Sequence, residues 1–172
     1  IARSKIPSAR LDLGSIYRYP IRPSDLITAI GEVLNYQADD PGDGRRQLQD
    51  VTGLFLNVHS ALSSGGMFMF DVMLESETED RTYQAVHDTD NWTVITISEE
   101  DKTRRQVTRR IVSFIKNGEC YRKSTETHVL HLYSEQFLEK TLVAAGFQVE
   151  TKDRYGDFAL GRGRKAFICF KK

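Results

Sequence analysis

The fold is decided by two stretches, Ser24-Asp25-Leu26-Ile27-Thr28-Ala29-Ile30-Gly31-Glu32-Val33-Leu34-Asn35-Tyr36 and Leu62-Ser63-Ser64-Gly65-Gly66-Met67-Phe68-Met69-Phe70-Asp71-Val72, and by the segment that joins them. Both are mostly apolar runs without strict alternation, as suits strands covered on both faces in a parallel sheet. Between them Leu48, Val51, Leu54, Phe55, Val58 and Leu62 recur at helical spacing and give one stripe that can pack on that sheet. Gly65, just past the last periodic residue, is expected to supply the left-handed turn that ends the helix. Parallel strands need such a crossover, and its right-handed sense is nearly obligatory.

Outward from this unit, Ile1–Pro7 reads as the tail of a helix stopped by proline, and Ala9–Ile16 as a short strand ending in a turn. Tyr17–Pro23, with two prolines, is connector, and the loop Gln37–Gly44 is expected to be mobile. After Val72 the composition shifts. Glu75–Asp80 is an acidic, exposed bend, followed by three stretches with strand chemistry: Asn91–Ser98, Thr103–Lys116 and Glu119–Tyr133. Asn117-Gly118 between the last two is a strong hairpin signal. Taken as the two central turn residues, they set Lys116 against Glu119, Phe114 against Tyr121, Arg109 against Glu126 and Val107 against His128. Ser134 is the expected N-cap of a helix over Glu135–Ala145 that buries Phe137, Leu138, Leu142 and Val143 and ends at Gly146. Phe147–Tyr155 and Lys165–Phe170 are closing strands, joined by Gly156–Arg164.

Composition narrows the partners. The 172 residues suffice for one domain with a proper core, and 24 Lys plus Arg balance 24 Asp plus Glu. Bulk charge therefore gives no argument for nucleic acid or an acidic membrane as a partner. No apolar run approaches a membrane span, and Ile1-Ala2-Arg3-Ser4-Lys5 lacks the apolar core of a signal peptide. Cys120 and Cys169, far apart, read as reduced thiols of a cytoplasmic protein, one on a hairpin and one in a core strand. No cluster has zinc-ligand spacing, so no metal is expected. Arg104, Arg105, Arg109 and Arg110 form the one basic cluster. On a strand they point to alternating faces behind Glu99, Glu100 and Asp101, so a solvated hairpin suits them better than a nucleic-acid track.

The strand Asp-Leu-Ile-Thr-Ala-Ile-Gly-Glu-Val-Leu-Asn-Tyr, the helix ending Leu-Ser-Ser-Gly-Gly and the strand ending Phe-Asp resemble the fourth and fifth strands of class I S-adenosylmethionine-dependent methyltransferases. Leu-x-x-Ala-Gly-Phe entering a strand, then Ala-Phe-Ile near the terminus, resembles that family's antiparallel edge. The resemblance implies an α/β fold with a Rossmann-like methyltransferase sheet, mostly parallel with an antiparallel C-terminal edge. Residues 1–172 then form a single domain, with a partial core of 1–74 and 134–172 and an antiparallel β insert of about 91–133. It begins mid-family: no glycine-rich turn follows a strand and no acid stands ready for ribose hydroxyls, so an N-terminally truncated fragment is expected. Truncation exposes the side of a central strand and invites pairing with another chain.

The resemblance also implies S-adenosyl-L-methionine as cofactor and a small-molecule acceptor. Gly14, Ser15 and Ile16 fall where the family contacts adenine, Ser15 standing in for an Asp; their plain alternative is an ordinary strand-ending turn. Ile30, Gly31, Glu32 and Asn35 lie at the mouth of the fourth strand, the ligand end of open α/β sheets. There Gly31 can equally serve a backbone bend and Glu32 can be solvated, while Asn35 and Tyr36 either contact the cofactor or acceptor or only cap the next turn. Asp71 borders the expected acceptor pocket or caps a loop. His128, Tyr121 and Glu126 are the candidates to grip or deprotonate the acceptor, with packing or plain exposure as the alternative. Trp92 and Phe114 either line that pocket or pack in a core. A non-catalytic methyltransferase-like domain for binding or assembly is the alternative function.

Overall fold

The computed structural model describes residues 2–36, 44–76 and 82–172. All but the last residue of the expected mobile loop Gln37–Gly44 and most of the acidic bend lie outside the described residues, as does the side chain of Leu48. The order is α1 (Ala2–Lys5), β1 (Ser24–Ala29), a 3-10 turn (Val33–Asn35), α2 (Gly44–Ala61) and β2 (Leu62–Met73). Then come β3 (Thr82–Asp88), β4 (Trp92–Asp101), β5 (Gln106–Asn117), β6 (Cys120–His131), α3 (Glu135–Ala144), β7 (Phe147–Lys152), β8 (Arg154–Tyr155), β9 (Phe158–Ala159) and β10 (Arg164–Lys171).

One sheet runs β1-β2-β10-β7. β1 and β2 are parallel across the α2 crossover, while β10 is antiparallel to both β2 and β7. The sheet is thus mixed rather than mostly parallel. Val51, Leu54, Phe55 and Val58 of α2, spaced i, i+3, i+4, i+7, are fully buried against Phe68, Phe70 and Val72 of β2. Leu138, Leu142 and Ala145 complete that layer with Phe147, Phe167 and Cys169. Burial raises the Cys169 thiol to about 12. Ser134 caps α3 as expected, accepting from Phe137 N at 3.3 Å. Val143, however, faces outward, and Ala145 takes the buried position instead.

The other face of this sheet carries Leu26, Met67, Met69, Ile168 and Phe170, which remain half-buried or exposed, and among the described residues β1 is an unpaired edge. Parallel strands usually have both faces covered.

Three further expectations are corrected. α2 ends at Ala61 without its glycine: Lys171 Nζ caps it by donating to the carbonyls of His59 (2.7 Å) and Leu62 (2.6 Å). Gly65, with φ +74°, instead sits in a bulge where Ser24 pairs with Leu62 but Leu26 with Met67. A Cβ on Gly66 would meet the Ser63 and Asp25 carbonyl oxygens at 2.8 and 3.0 Å. Ala9–Ile16 forms no strand, since no described strand lies alongside to take its backbone bonds.

The hairpin register is the third correction. Asn117 pairs with Cys120, Arg109 with His128 and Ile111 with Glu126, two residues from expectation. Gly118 alone takes a positive φ (+63°), which fits a II′ turn over Gly118-Glu119 and not an Asn-Gly I′ turn. Arg109 and Glu126 still share a face, but as diagonal neighbours. The second sheet, β3-β4-β5-β6, lies in the chain between β2 and α3 and includes β3, which is not among the expected strands.

Candidate functional site

The site forms where the carboxyl ends of β1 and β2 meet the second sheet. Two successive left-handed residues, Gly31 (φ +92°) and Glu32 (φ 60°), turn the chain sharply after Ile30. Buried Asp71, at the end of β2, holds this turn: Gly31 N donates to Oδ2 and Glu32 N to Oδ1, both at 2.9 Å. Tyr155 Oη donates to Asp71 Oδ2 at 3.2 Å. Burial, followed by the charge of Asp71 and this hydrogen bond, raises the Tyr155 hydroxyl far above its ordinary value, so it remains a donor.

Glu32 points inward and is 2% exposed. Its Oε2 accepts from Arg109 Nη2 at 3.0 Å, and its Oε1 is ion-paired with Arg164 Nε. A buried carboxylate needs such partners, and here one comes from β5 and the other from the start of β10. Glu32 therefore ties the second sheet to the first.

Asn35 is fully buried and its amide is engaged on both sides. Nδ2 donates to the carbonyls of Met73 (2.9 Å) and His131 (2.6 Å), while Oδ1 accepts from Met73 N at 2.8 Å. Leu34 O accepts from Tyr17 Oη (2.7 Å) and Tyr133 Oη (2.9 Å). Next to these lies buried His131, whose Nδ1 has no partner among the described residues; burial first, then the charge of Arg105, lowers its pKa from 6.5.

The first segment joins the site through Tyr17. Ser15 closes a turn, its carbonyl accepting from Arg18 N (3.0 Å) and Tyr19 N (2.8 Å) and its hydroxyl from Tyr17 N (3.4 Å). A Cβ on Gly14 would meet the Tyr19 ring at 3.1 Å, and Ile16 packs on the core. Gly14, Ser15 and Ile16 are thereby tethered to the Val33–Asn35 turn.

On the outer side, Tyr36 Oη lies 3.4 Å from His128 Nδ1, and His128 Nε2 lies 3.2 Å from Glu126 Oε2. Tyr121 is not part of this group. It lies seven residues from His128, about 24 Å along the strand, and projects from the opposite face of the sheet. Trp92 is 40% exposed, and Phe114 lies under Lys123 Nζ at 5.8 Å. Sequence reasoning did not single out Arg109 as a partner of Glu32, nor Arg164 or Tyr155 at all, because ion pairs and hydrogen bonds across distant segments leave no local pattern. Among the described residues, no group of His, Cys, Asp and Glu could hold a metal ion. No helix there is long and apolar enough to cross a membrane.

The residues present suit only part of an S-adenosylmethionine-like ligand. A Cβ on Gly31 would meet nothing within 4 Å and Ile30 is 48% exposed, so there is room at the strand end. The Gly31 and Glu32 amides and the Glu32 carboxylate, by contrast, already have partners within the chain.

No protein-family model matches the chain, and no curated protein matches it by sequence. Solved structures do match in three dimensions. An S-adenosylmethionine-dependent methyltransferase from Clostridium acetobutylicum superposes with a TM-score of 0.76 at 24% identity, over 99% of this chain and 69% of that one. DesVI from Streptomyces venezuelae gives 0.77 at 18%, over 99% and 69%. CalS10, an amino pentose methyltransferase from Micromonospora echinaspora, gives 0.74 at 14%, over 99% and 68%. At these identities the likeness establishes the fold alone: nearly the whole chain follows part of the fold of these methyltransferases, spanning about two thirds of their length.

Proposed function

We propose that this chain serves S-adenosylmethionine-dependent methyl transfer to a small-molecule acceptor, with a cytoplasmic setting as part of the proposal. The observation that carries the reading is the Ile30–Glu32 turn. It is pinned by Asp71 at the carboxyl ends of two parallel strands, beside open space, within a fold shared with methyltransferases over 99% of the chain. When bound, the cofactor supplies an electrophilic methyl on a sulfonium. Ile30 and Gly31 would border it, with Gly14, Ser15 and Ile16 toward its adenine. Glu32 and Asn35 would act by holding that border in place rather than by touching the ligand. Catalysis of this kind rests mainly on alignment of donor and acceptor.

The proposal includes a further half. The free edge of β1 and the uncovered sheet face (Leu26, Met67, Met69) match what remains when a strand-and-helix layer is missing. Such a layer, from another segment or chain, would bring the glycine-rich turn and the ribose acid. The non-catalytic alternative draws on the same gap.

Transfer of a labelled methyl from S-adenosylmethionine to a panel of small amines and hydroxyl compounds, by the chain combined with the layer that carries the glycine-rich turn, tests the proposal. Label in an acceptor is the expected result. Protein that binds S-adenosylhomocysteine yet labels nothing in the panel would leave the binding or assembly reading instead.

A further inference from the structure

Two adjacent contacts tie the connection after β1 to the second sheet. Arg109 and His128 stand directly opposite each other on β5 and β6, and so on one face. Arg109 reaches Glu32 in a buried ion pair, while His128 meets Tyr36, four residues further along the connection. The first contact is buried, its side chains 14% and 3% exposed. The second is open to solvent, with the His128 side chain 29% exposed and Tyr36 37% exposed. Their rings meet edge-on, with centroids 5.5 Å apart. A buried anchor thus fixes the spacing of a partly solvated pair beside the strand ends.

The order of the polar atoms matters. Glu126, two residues before His128 and on the same face, holds Nε2 at 3.2 Å, which favours the tautomer with its proton on that nitrogen. Nδ1 then carries a lone pair and accepts from the Tyr36 hydroxyl.

We infer that Tyr36, His128 and Glu126 form a proton-accepting chain for an acceptor that arrives as a protonated amine; this rests on the methyl-transfer reading. An ammonium nitrogen has no lone pair and must shed a proton before it can attack. Its N–H bond breaks with the electron pair left on nitrogen. The proton passes to Tyr36 Oη as the Tyr36 proton passes to His128 Nδ1, and Glu126 stabilises the resulting imidazolium. The freed pair bonds the methyl of the sulfonium donor while sulfur keeps the electrons of the broken S–C bond. The product is a protonated methylamine and a thioether, and the imidazolium returns its proton to water. The exposed Glu126 carboxylate also suits a cationic acceptor. The Tyr36–His128 contact of 3.4 Å is of a length that substrate binding commonly tightens.

The test has two arms. The chain has only four histidines, so imidazole nitrogen NMR resolves His128 directly. His128 is expected as the Nε2–H tautomer, mixed in Glu126→Gln, with its Nδ1 resonance displaced in Tyr36→Phe. An Nδ1–H tautomer, or no response to Tyr36→Phe, overturns the chain. In the second arm, methylation of glucosamine by the chain combined with the layer that carries the glycine-rich turn is followed across pH. Tyr36→Phe and His128→Gln are expected to lower kcat by about 100-fold where the amine is protonated, and progressively less as pH rises and the amine deprotonates in solution. A loss constant with pH marks packing alone and overturns the inference, as does transfer to glucose in preference to glucosamine. A wild type that methylates nothing removes the methyl-transfer reading, and this role with it, whatever the first arm gives.

Discussion

Glu32 combines left-handed backbone, near-complete burial and two guanidinium partners. Burying a carboxylate is costly, so its worth to the fold depends on both arginines staying in place. Arg109→Ala is expected to destabilise by about 3–5 kcal/mol, because a buried charge is left half-compensated. Glu32→Gln combined with Arg109→Ala should cost clearly less than the sum of the single changes. Denaturant titration of the four proteins checks this: coupling above about 1 kcal/mol is expected for contacting residues, and strict additivity would show that the pair is not bonded. Little of this was legible beforehand. The sequence placed Glu32 at the strand mouth, but its partners lie 77 residues away or further, and no periodicity links them.

At the scale of elements, legibility followed hydrophobic pattern. α2 was visible because Val51, Leu54, Phe55 and Val58 repeat at helical spacing, and α3 because Ser134 caps it and Gly146 ends it. β3 was not, because Thr82–Asp88 is exposed almost throughout and shows no apolar face to read. The hairpin register slipped by two, and a slip of two keeps every side chain on its own face, so the pattern cannot detect it. The turn itself can be tested. With Gly118 in the first central position of a II′ turn, Gly118→Ala should cost about 1–2 kcal/mol through left-handed strain. Asn117→Ala should cost much less, since Asn117 only flanks the turn. Equal losses in thermal melts would restore Asn-Gly as the turn.

Among the described residues the molecule is a sheet covered on one face, with a second sheet fixed to the carboxyl ends of β1 and β2. The sequence made the parallel unit and the closing antiparallel strands readable, whereas the ion pairs joining the two sheets became visible only in three dimensions. On the proposed function, the carboxyl ends of β1 and β2 form one wall of a methyl-donor site whose remaining walls lie outside the described residues. An incomplete wall offers few contacts to offset the entropy of binding, so affinity should be weak. The most direct measurement is backbone amide NMR during titration with S-adenosylhomocysteine. The expected result is fast-exchange, millimolar-range binding, with shifts concentrated at Ile16, Ile30, Gly31 and Glu32 and with Trp92 and Tyr121 unmoved. Shifts centred on β3–β6 with Ile30–Glu32 silent, or tight stoichiometric binding, would contradict it.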